Sequence, residues 1–276
     1  MVKSEIRASK KSDHLSVFSI IKENAKRIPG ALAICAPGEE PISYSHFFEH
    51  LKNNVESLKK FGIERNDRIA IVLPNGSQMA TVFLTIASCA TAAPLNPAFS
   101  ESEFEFYLSD INAKALLVES TTDSPAKSVA EAIDVPVIEL FPVKGVEPKI
   151  FELDFQRRPR KTLSDGYAQA DDTALVLHTS GTTSRPKLVP LTHNNICTSA
   201  YNIQRTLNLS RTDRCLNVMP LFHIHGLIGA LLSSFFAGAS VVCTPGFYVN
   251  KFFDWMAEFH PTWFTAVPTM HQGILN

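Results

Sequence analysis

Short apolar runs alternate with helical patterns along the first half of the chain. The apolar runs, typical of buried strands, occupy residues 69–73, 92–95, 115–118 and 136–140. Three stretches with helical spacing lie between them, at residues 78–90, 101–108 and 126–132, and Ser100 is placed to cap the second. Strand–helix alternation with short connections predicts a parallel, doubly wound α/β sheet.

Three elements precede this alternation. They are a helix at residues 15–28 with Asp13 as its predicted cap, a strand at 32–35, and a helix through 47–58 that ends at Gly62. In the second half we predict strands at residues 174–177, 213–219, 240–244 and 263–266. The predicted helices there cover residues 192–207, 227–236 and 249–259, and a further helix opens at Pro268.

Residues 141–170 separate the two halves. They carry prolines and basic residues with little periodicity, so we predict a connecting loop. The basic cluster at 157–161 has no interleaved aromatic residues and is interpreted as part of a solvated linker. The pattern thus predicts one domain over residues 14–276, with α/β halves at 14–140 and 171–276.

Composition narrows the class of protein. The chain has 276 residues, 45% of them hydrophobic, which is enough for a large core, and a net charge of −1, which favours neither nucleic acid nor an anionic membrane. Five scattered cysteines without a C-x-x-C pair suit a reducing compartment. No apolar run approaches the ~20 residues of a membrane span. We expect a cytoplasmic protein, with a peroxisomal location left open.

A cluster of hydroxyl residues follows the predicted strand at 174–177. It consists of Thr179, Ser180, Gly181, Thr182 and Thr183, with Pro186 and Lys187 shortly after. Hydroxyl and backbone N–H donors around a glycine, joined by a mobile ammonium group, suit a polyphosphate. A polar surface turn is the alternative. The common nucleotide loop is excluded, because it needs glycine before the lysine and a hydroxyl residue after it, and Leu188 follows Lys187.

Two histidines follow the predicted strand at 213–219. His223 and His225 lie where open α/β sheets place their ligands, beyond the carboxyl end of a strand. A zinc site is disfavoured because no cysteine or acidic residue lies nearby in sequence, and we predict no metal ligand among these residues. A histidine bonded to a loop carbonyl remains an alternative.

Residues 179–187 resemble the signature of the adenylate-forming superfamily, which includes acyl-CoA synthetases, 4-coumarate–CoA ligases, luciferases and peptide-synthetase adenylation domains. Ser184 stands where the signature usually has glycine, and this departure resembles the oxalate–CoA ligase branch. The similarity continues through residues 91–97, 220–226 and 265–269.

The resemblance implies an ATP-dependent carboxylic acid–CoA ligase, in which an acid forms acyl-AMP and pyrophosphate and CoA then takes the acyl group. Thr179, Ser180, Gly181, Thr182, Thr183 and Lys187 would hold the β- and γ-phosphates of ATP. His223 would lie beside the carboxylate that is activated. His225, Gly226 and Gly229 would line the acyl pocket, although helix packing explains the two glycines nearly as well.

The resemblance also carries expectations about the extent of the chain. The second α/β half is expected to be incomplete and the small C-terminal domain absent, so that the ligand residue for Mg²⁺ lies beyond residue 276. The partners would be ATP, CoA and a small acid such as oxalate, and this stretch alone would have little activity. The alternatives are a loading domain that transfers the acyl group to a carrier-protein pantetheine, and a nucleotide-binding module without catalysis.

Overall fold

The computed structural model describes residues 15–143, 150–155, 166–179 and 186–276. The strands of this part of the chain are β1 Leu32–Cys35, β2 Ile42–Ser43, β3 Arg68–Val72, β4 Thr91–Pro94, β5 Ala115–Glu119, β6 Val137–Pro142, β7 Phe151–Phe155, β8 Thr173–Thr179, β9 Lys187–Thr192, β10 Arg214–Asn217, β11 Ser240–Cys243 and β12 Trp263–Thr265. The α-helices are α1 Val17–Arg27, α2 Tyr44–Phe61, α3 Ser77–Ala87, α4 Glu101–Asp110, α5 Pro125–Ala132, α6 His193–Thr206, α7 Ser233–Ala237, α8 Val249–Phe259 and α9 Pro268–Leu275, and a π-helix covers His225–Leu232.

The strands form two sheets. The larger has the order β7-β6-β5-β3-β4-β8-β9, in which five parallel strands are flanked by the antiparallel edge strands β7 and β9. The smaller has the order β12-β10-β11-β1-β2, in which only β2 is antiparallel to its neighbour. The prediction of an α/β fold with parallel sheets is confirmed.

The sheets do not follow the predicted division at residues 141–170. Strands β1 and β2 come from the first half of the chain but pair with β11 in the smaller sheet. Strand β8 comes from the second half and pairs with β4 in the larger sheet. Each sheet therefore combines strands from both halves, because an apolar run predicts a buried strand without predicting its partner.

The prediction of a connecting loop at residues 141–170 is wrong in part. Strand β6 extends to Pro142, and β7 pairs with it as an antiparallel edge strand. In β7 the apolar residues Phe151, Leu153 and Phe155 alternate with Glu152 and Asp154, which is the period of a strand with one buried face. The basic cluster at residues 157–161 lies outside the described residues.

Three apolar clusters hold the layers together. An inner core lies between the sheets and unites Ile69 and Ile71 of β3 with Val241 of β11 and with the helices α1, α2, α3, α6 and α7. An outer core packs α4 and α5 against the far face of the larger sheet, and a second outer core packs α8 and α9 against the smaller one. Ten of the eleven residues of α3 are buried, as expected for a helix enclosed on all sides.

Local signals explain where helices begin and end. Ser16, rather than the predicted Asp13, caps α1 through a reciprocal pair of bonds with Ser19, and Asp13 lies outside the described residues. The predicted end of α2 is confirmed, since Gly62 adopts a left-handed conformation with φ of 103°. Ser100 caps α4 as predicted, in a capping box with Glu103. None of the helices among the described residues combines the length and apolar character needed to cross a bilayer.

A buried carboxylate fixes the start of β8. Asp172 accepts hydrogen bonds from Arg65 Nε and Nη2 at 2.7 and 2.8 Å and from the backbone N–H of Gln169 at 2.6 Å. Burial acts to raise the pKa of Asp172, but these bonds and one from Asn66 outweigh it, so that the pKa lies below its ordinary value. The side-chain bonds connect β8 to the turn before β3.

We predict that Asp172→Asn lowers the free energy of unfolding by about 2 kcal/mol at pH 7, because it weakens charged hydrogen bonds at a buried site. A depressed folded-state pKa stabilises the protein above the unfolded-state value of about 3.9, and this contribution is lost as the pH falls through the lower folded-state pKa. Urea unfolding between pH 7 and 3.5 should therefore show a difference from wild type that is constant down to pH 5 and shrinks below about 4. Asp171→Asn, at an exposed neighbouring residue, is the control and should change little; an equal loss in both variants would contradict the prediction.

Candidate active site

Strands β8 and β9 bring the two ends of the predicted phosphate loop together. Thr179, the last residue of β8, is the direct antiparallel partner of Lys187, the first residue of β9. Both residues are exposed. The other predicted phosphate-binding residues, Ser180, Gly181, Thr182 and Thr183, lie outside the described residues. The predicted lysine thus stands directly across from the first predicted hydroxyl.

Strand alternation determines the side of the sheet that this pair occupies. Leu175 and Leu177 pack in the inner core, whereas Val176 belongs to the outer core on the far face of the larger sheet. Because alternate residues of a strand share a face, Thr179 lies on the inner face with Leu175 and Leu177. Cross-strand partners share a face, and this places Lys187 there as well. The inner face is the one that looks towards the smaller sheet.

His178 anchors the end of β8 on the opposite face. Its Nε2 is 2.9 Å from Asp110 Oδ2, and its ring packs edge-on against Tyr107 of α4 with centroids 4.6 Å apart. Only 7% of the His178 side chain is exposed. Its side chain is therefore hydrogen-bonded and packed, which fits a structural role, and it holds the strand from which the predicted phosphate loop departs.

His223 lies in the loop between β10 and the π-helix. The residue is exposed, its backbone N–H donates to Pro220 O at 3.2 Å, and its ring packs against Phe222 with centroids 4.5 Å apart. Partial burial of the imidazole lowers the pKa of His223 below its ordinary value. The lowered pKa favours the neutral ring, in which one nitrogen donates a hydrogen bond and the other accepts.

His225 is held in place from two sides. Its Nε2 lies 2.7 Å from Thr265 Oγ1 at the end of β12. On the other side the ring lies over Gly229, where an added Cβ would approach His225 Cδ2 to 3.1 Å. The carbonyl of Gly226 accepts a hydrogen bond of 3.2 Å from Asn217 Nδ2, at the end of β10. Two predicted pocket residues therefore bond to the ends of neighbouring strands.

The two glycines also have packing roles. An added Cβ at Gly226 would lie 2.6 Å from the carbonyl oxygen of Pro220, which is closer than real contacts allow. Gly229 leaves room for the ring of His225. The expectation that Gly226 and Gly229 line an acyl pocket stays a prediction beside these roles.

The carboxyl ends of the two sheets meet at Asn75. This residue follows β3 in the larger sheet, and its side chain bonds to Leu221 after β10 and to Thr244 after β11 in the smaller sheet. Ser77 Oγ adds a bond of 2.5 Å to Glu39 Oε2, in the segment after β1. The loop with His223 is thus tied to the edge of the sheet that carries Lys187.

Sequence reasoning missed several of these residues. Asn75 lies between the predicted strand at 69–73 and the predicted helix at 78–90, and Asn217 lies inside the predicted strand at 213–219; neither has a predicted role. A signal was present in both cases: Asn75 follows an apolar run, where parallel sheets place polar contacts, and Asn217 is a polar residue inside an apolar run, which needs a hydrogen-bond partner when buried. Thr265 lies in one of the resembling segments, and only the fold shows that it faces His225.

The described residues do not form an evident metal centre. In residues 15–143, 150–155, 166–179 and 186–276, no three His, Cys, Asp or Glu side chains come together as a ligand set. The prediction that His223 and His225 bind no metal stays a prediction.

We predict that Gly226→Ala destabilises the protein by about 1–3 kcal/mol, because the new methyl group would press against a backbone carbonyl that cannot rotate away. Thermal unfolding would measure this loss. Gly30→Ala is the matched control, since nothing lies within 4 Å of a Cβ at that position. An unchanged melting temperature for Gly226→Ala would show that the Pro220 backbone yields easily.

Comparison with known proteins identifies the family of the chain. The sequence model for "AMP-binding enzyme" matches residues 21–276. The chain is 35% identical over 269 residues to the oxalate–CoA ligase of Arabidopsis thaliana and 38% identical over 251 residues to the oxalate–CoA ligase of Saccharomyces cerevisiae. These alignments cover 96% and 83% of the chain, and 52% and 46% of the relatives. The chain therefore spans about half the length of these relatives.

A solved structure shows the same fold. The o-succinylbenzoate CoA synthetase of Bacillus subtilis, in complex with an acyl-adenylate intermediate, superposes with a TM-score of 0.78 at 27% identity, over 95% of this chain and 64% of that one. The fold is therefore shared with a protein whose structure was solved with an acyl-adenylate.

Proposed function

Since the chain belongs to the AMP-binding enzyme family, we propose that it forms part of an ATP-dependent carboxylic acid–CoA ligase. A carboxylate attacks the α-phosphorus of ATP, which gives acyl-AMP and releases pyrophosphate. The thiolate of CoA then attacks the acyl carbon and AMP leaves. The chain contributes the phosphate-binding strand pair and the loop with His223.

The cross-strand pair of Thr179 and Lys187 is the observation that supports this proposal most directly. It places a primary ammonium group opposite a hydroxyl at the carboxyl end of a parallel sheet, where α/β proteins bind their ligands. Both groups lie on the face towards the loop with His223. A polyphosphate bound by Lys187 would therefore extend towards the carboxyl edge of the smaller sheet, where the loop with His223 lies.

His223 is proposed to orient the acid. A carboxylate and a triphosphate repel one another, and this encounter is costly unless hydrogen-bond donors are placed beside it. The lowered pKa of His223 favours the neutral imidazole, which offers one N–H to the carboxylate. Holding the carboxylate in line with the α-phosphorus would raise the rate further, because the reacting atoms are already positioned.

The acid is proposed to be short and polar, such as oxalate. Two of the relatives are named for that acid. Beside His223, the bonded pair of His225 and Thr265 offers polar groups rather than an apolar surface. Gly226 and Gly229 are proposed to line the same pocket from the π-helix. CoA is the proposed acceptor, and a carrier-protein pantetheine would use the same thiolate chemistry.

Magnesium is expected to accompany ATP. The chemistry attributed to this chain is binding and orientation by Thr179, Lys187 and His223.

The cysteines support a reducing compartment. Cys35, Cys89, Cys197, Cys215 and Cys243 are all buried and all free. A cytoplasmic location is therefore proposed, with a peroxisomal one as the alternative.

We predict that Lys187→Ala in the full-length protein lowers the rate of adenylation by about 10²-fold or more, because one charged donor to the phosphates is lost. Acid-dependent exchange of pyrophosphate into ATP would measure it, with oxalate as the first acid of a panel. Lys60→Ala, at an exposed residue of α2, is the control. Unchanged exchange and unchanged ATP affinity would remove the basis of the assignment. Tight ATP binding without pyrophosphate release in the wild type would instead favour a non-catalytic nucleotide-binding module.

We further predict that residues 1–276 alone produce little or no acyl-AMP, since the chain spans about half the length of its relatives. Single-turnover reactions with labelled ATP and several small acids would test this. A burst that approaches one equivalent of acyl-AMP per chain would contradict the prediction and show that this stretch is sufficient for the first step.

A further inference from the structure

Asn75 occupies a constrained turn between β3 and α3. Strand β3 is the central strand of the larger sheet, between β4 and β5. Gly76 follows with φ of +146°, a conformation that side chains rarely adopt, and α3 starts at the buried Ser77. The amide of Asn75 therefore extends from a rigid base.

Both ends of this amide bond to the smaller sheet. Oδ1 accepts a hydrogen bond of 2.7 Å from the backbone N–H of Leu221, and Nδ2 donates one of 2.8 Å to the carbonyl of Thr244. These partners are 146 and 169 residues away in sequence. Only an amide offers a donor and an acceptor in this arrangement, because a carboxylate accepts only.

The bond to Leu221 acts on the loop that carries His223. Leu221 is buried, and His223 follows it by two residues. The bond to Thr244 fixes the end of β11, beside β10 from which the loop departs. The amide therefore holds both the loop and the strand end next to it.

We propose that Asn75 is a positioning residue that fixes the His223 loop against the edge of the larger sheet and so sets the geometry between bound acid and bound ATP. This inference rests on the proposed ligase function. Asn75 acts through Leu221 and Thr244 rather than on the reacting atoms. The lowered pKa of His223 fits a loop that is held in a partly buried position.

Ser77 provides a matched control. Ser77 lies two residues after Asn75 in the chain. Its hydroxyl donates to Glu39 Oε2 at 2.5 Å and so connects the same edge of the larger sheet to the segment after β1. Ser77→Ala removes a partly buried hydrogen bond at the same place in the fold without touching Leu221 or Thr244. A general loosening of the edge would appear in both variants, whereas loss of loop positioning appears only at Asn75.

The first experiment uses this chain and requires no catalysis. Histidine ring signals are titrated by NMR in wild type, Asn75→Ala and Ser77→Ala, with His223→Gln to assign the signal. We expect the pKa of His223 to rise towards about 6.5 in Asn75→Ala, as the loop becomes solvated, and to stay unchanged in Ser77→Ala. An unchanged His223 titration in folded Asn75→Ala, or an equal shift in both variants, would overturn the proposal.

Hydrogen exchange tests the same point, first in the wild type and then in one variant of similar shape. The backbone amide of Leu221 should exchange at least about tenfold more slowly than an unstructured amide in the wild type, because Asn75 holds it. Asn75→Asp keeps the acceptor for this amide and should preserve its protection while the donor to Thr244 is lost. An unprotected Leu221 amide in the wild type would contradict the proposal directly.

Kinetics of the full-length protein separates this inference from the proposed function. We expect Asn75→Ala to lower kcat/KM for the acid by about tenfold or more and to change the KM for ATP by less than about twofold. An equal effect on both substrates, or none, would leave Asn75 a structural residue only. If the wild type showed no adenylation with any acid, the proposed function would fail, while the NMR and exchange results would still report whether Asn75 holds the loop.

Discussion

The inner core is the constraint on which the rest of the molecule depends. Two parallel sheets bury their facing sides against one shared layer of helices, and residues such as Ile71 and Val241 belong to the same cluster although they lie in different sheets. Burial at roughly 25 cal/mol per Å² of apolar surface makes this layer the largest stabilising contribution in the fold. Because the layer is shared, neither sheet can move far without exposing it, and the carboxyl edges of β3 and β10 remain opposite each other.

This constraint explains how much of the fold was predictable. Local signals were sufficient for the buried runs and most helices, because periodicity and caps act within a few residues; α8 and the cap of α4 at Ser100 are examples. Strand partners were not predictable, since β1 and β8 have the same apolar character as strands that stay in their own half of the chain. Strand β7 was missed because its alternation is short and lies in a segment rich in prolines and basic residues. Packing in the shared inner core determines which strands pair with one another.

The candidate site shows the same contrast between residues that the sequence predicts and contacts that only the fold reveals. Lys187 and His223 are predicted from sequence, because each follows a strand and offers a type of donor that anions need. Their placement required the structure: the antiparallel pairing that puts Lys187 across from Thr179 depends on β9, and the support of His225 by Thr265 joins residues 40 positions apart. Asn75 had no predicted role, because an asparagine before a glycine is the ordinary composition of a turn. Its importance lies in two partners that only the packed sheets bring near.

Stability and function therefore rest on different interactions at this edge. The inner core holds the sheets together through many apolar contacts, so loss of one contact leaves the fold in place. The relation between the two carboxyl edges depends on a few polar bonds, among them those of Asn75 and Ser77. A bond of this kind contributes about 1 kcal/mol to folding, yet a shift of about 1 Å in a reacting group can cost about 10²-fold in rate. Under the proposed function, substitution of Asn75 should consequently affect catalysis far more than stability, whereas substitutions in the inner core should do the reverse.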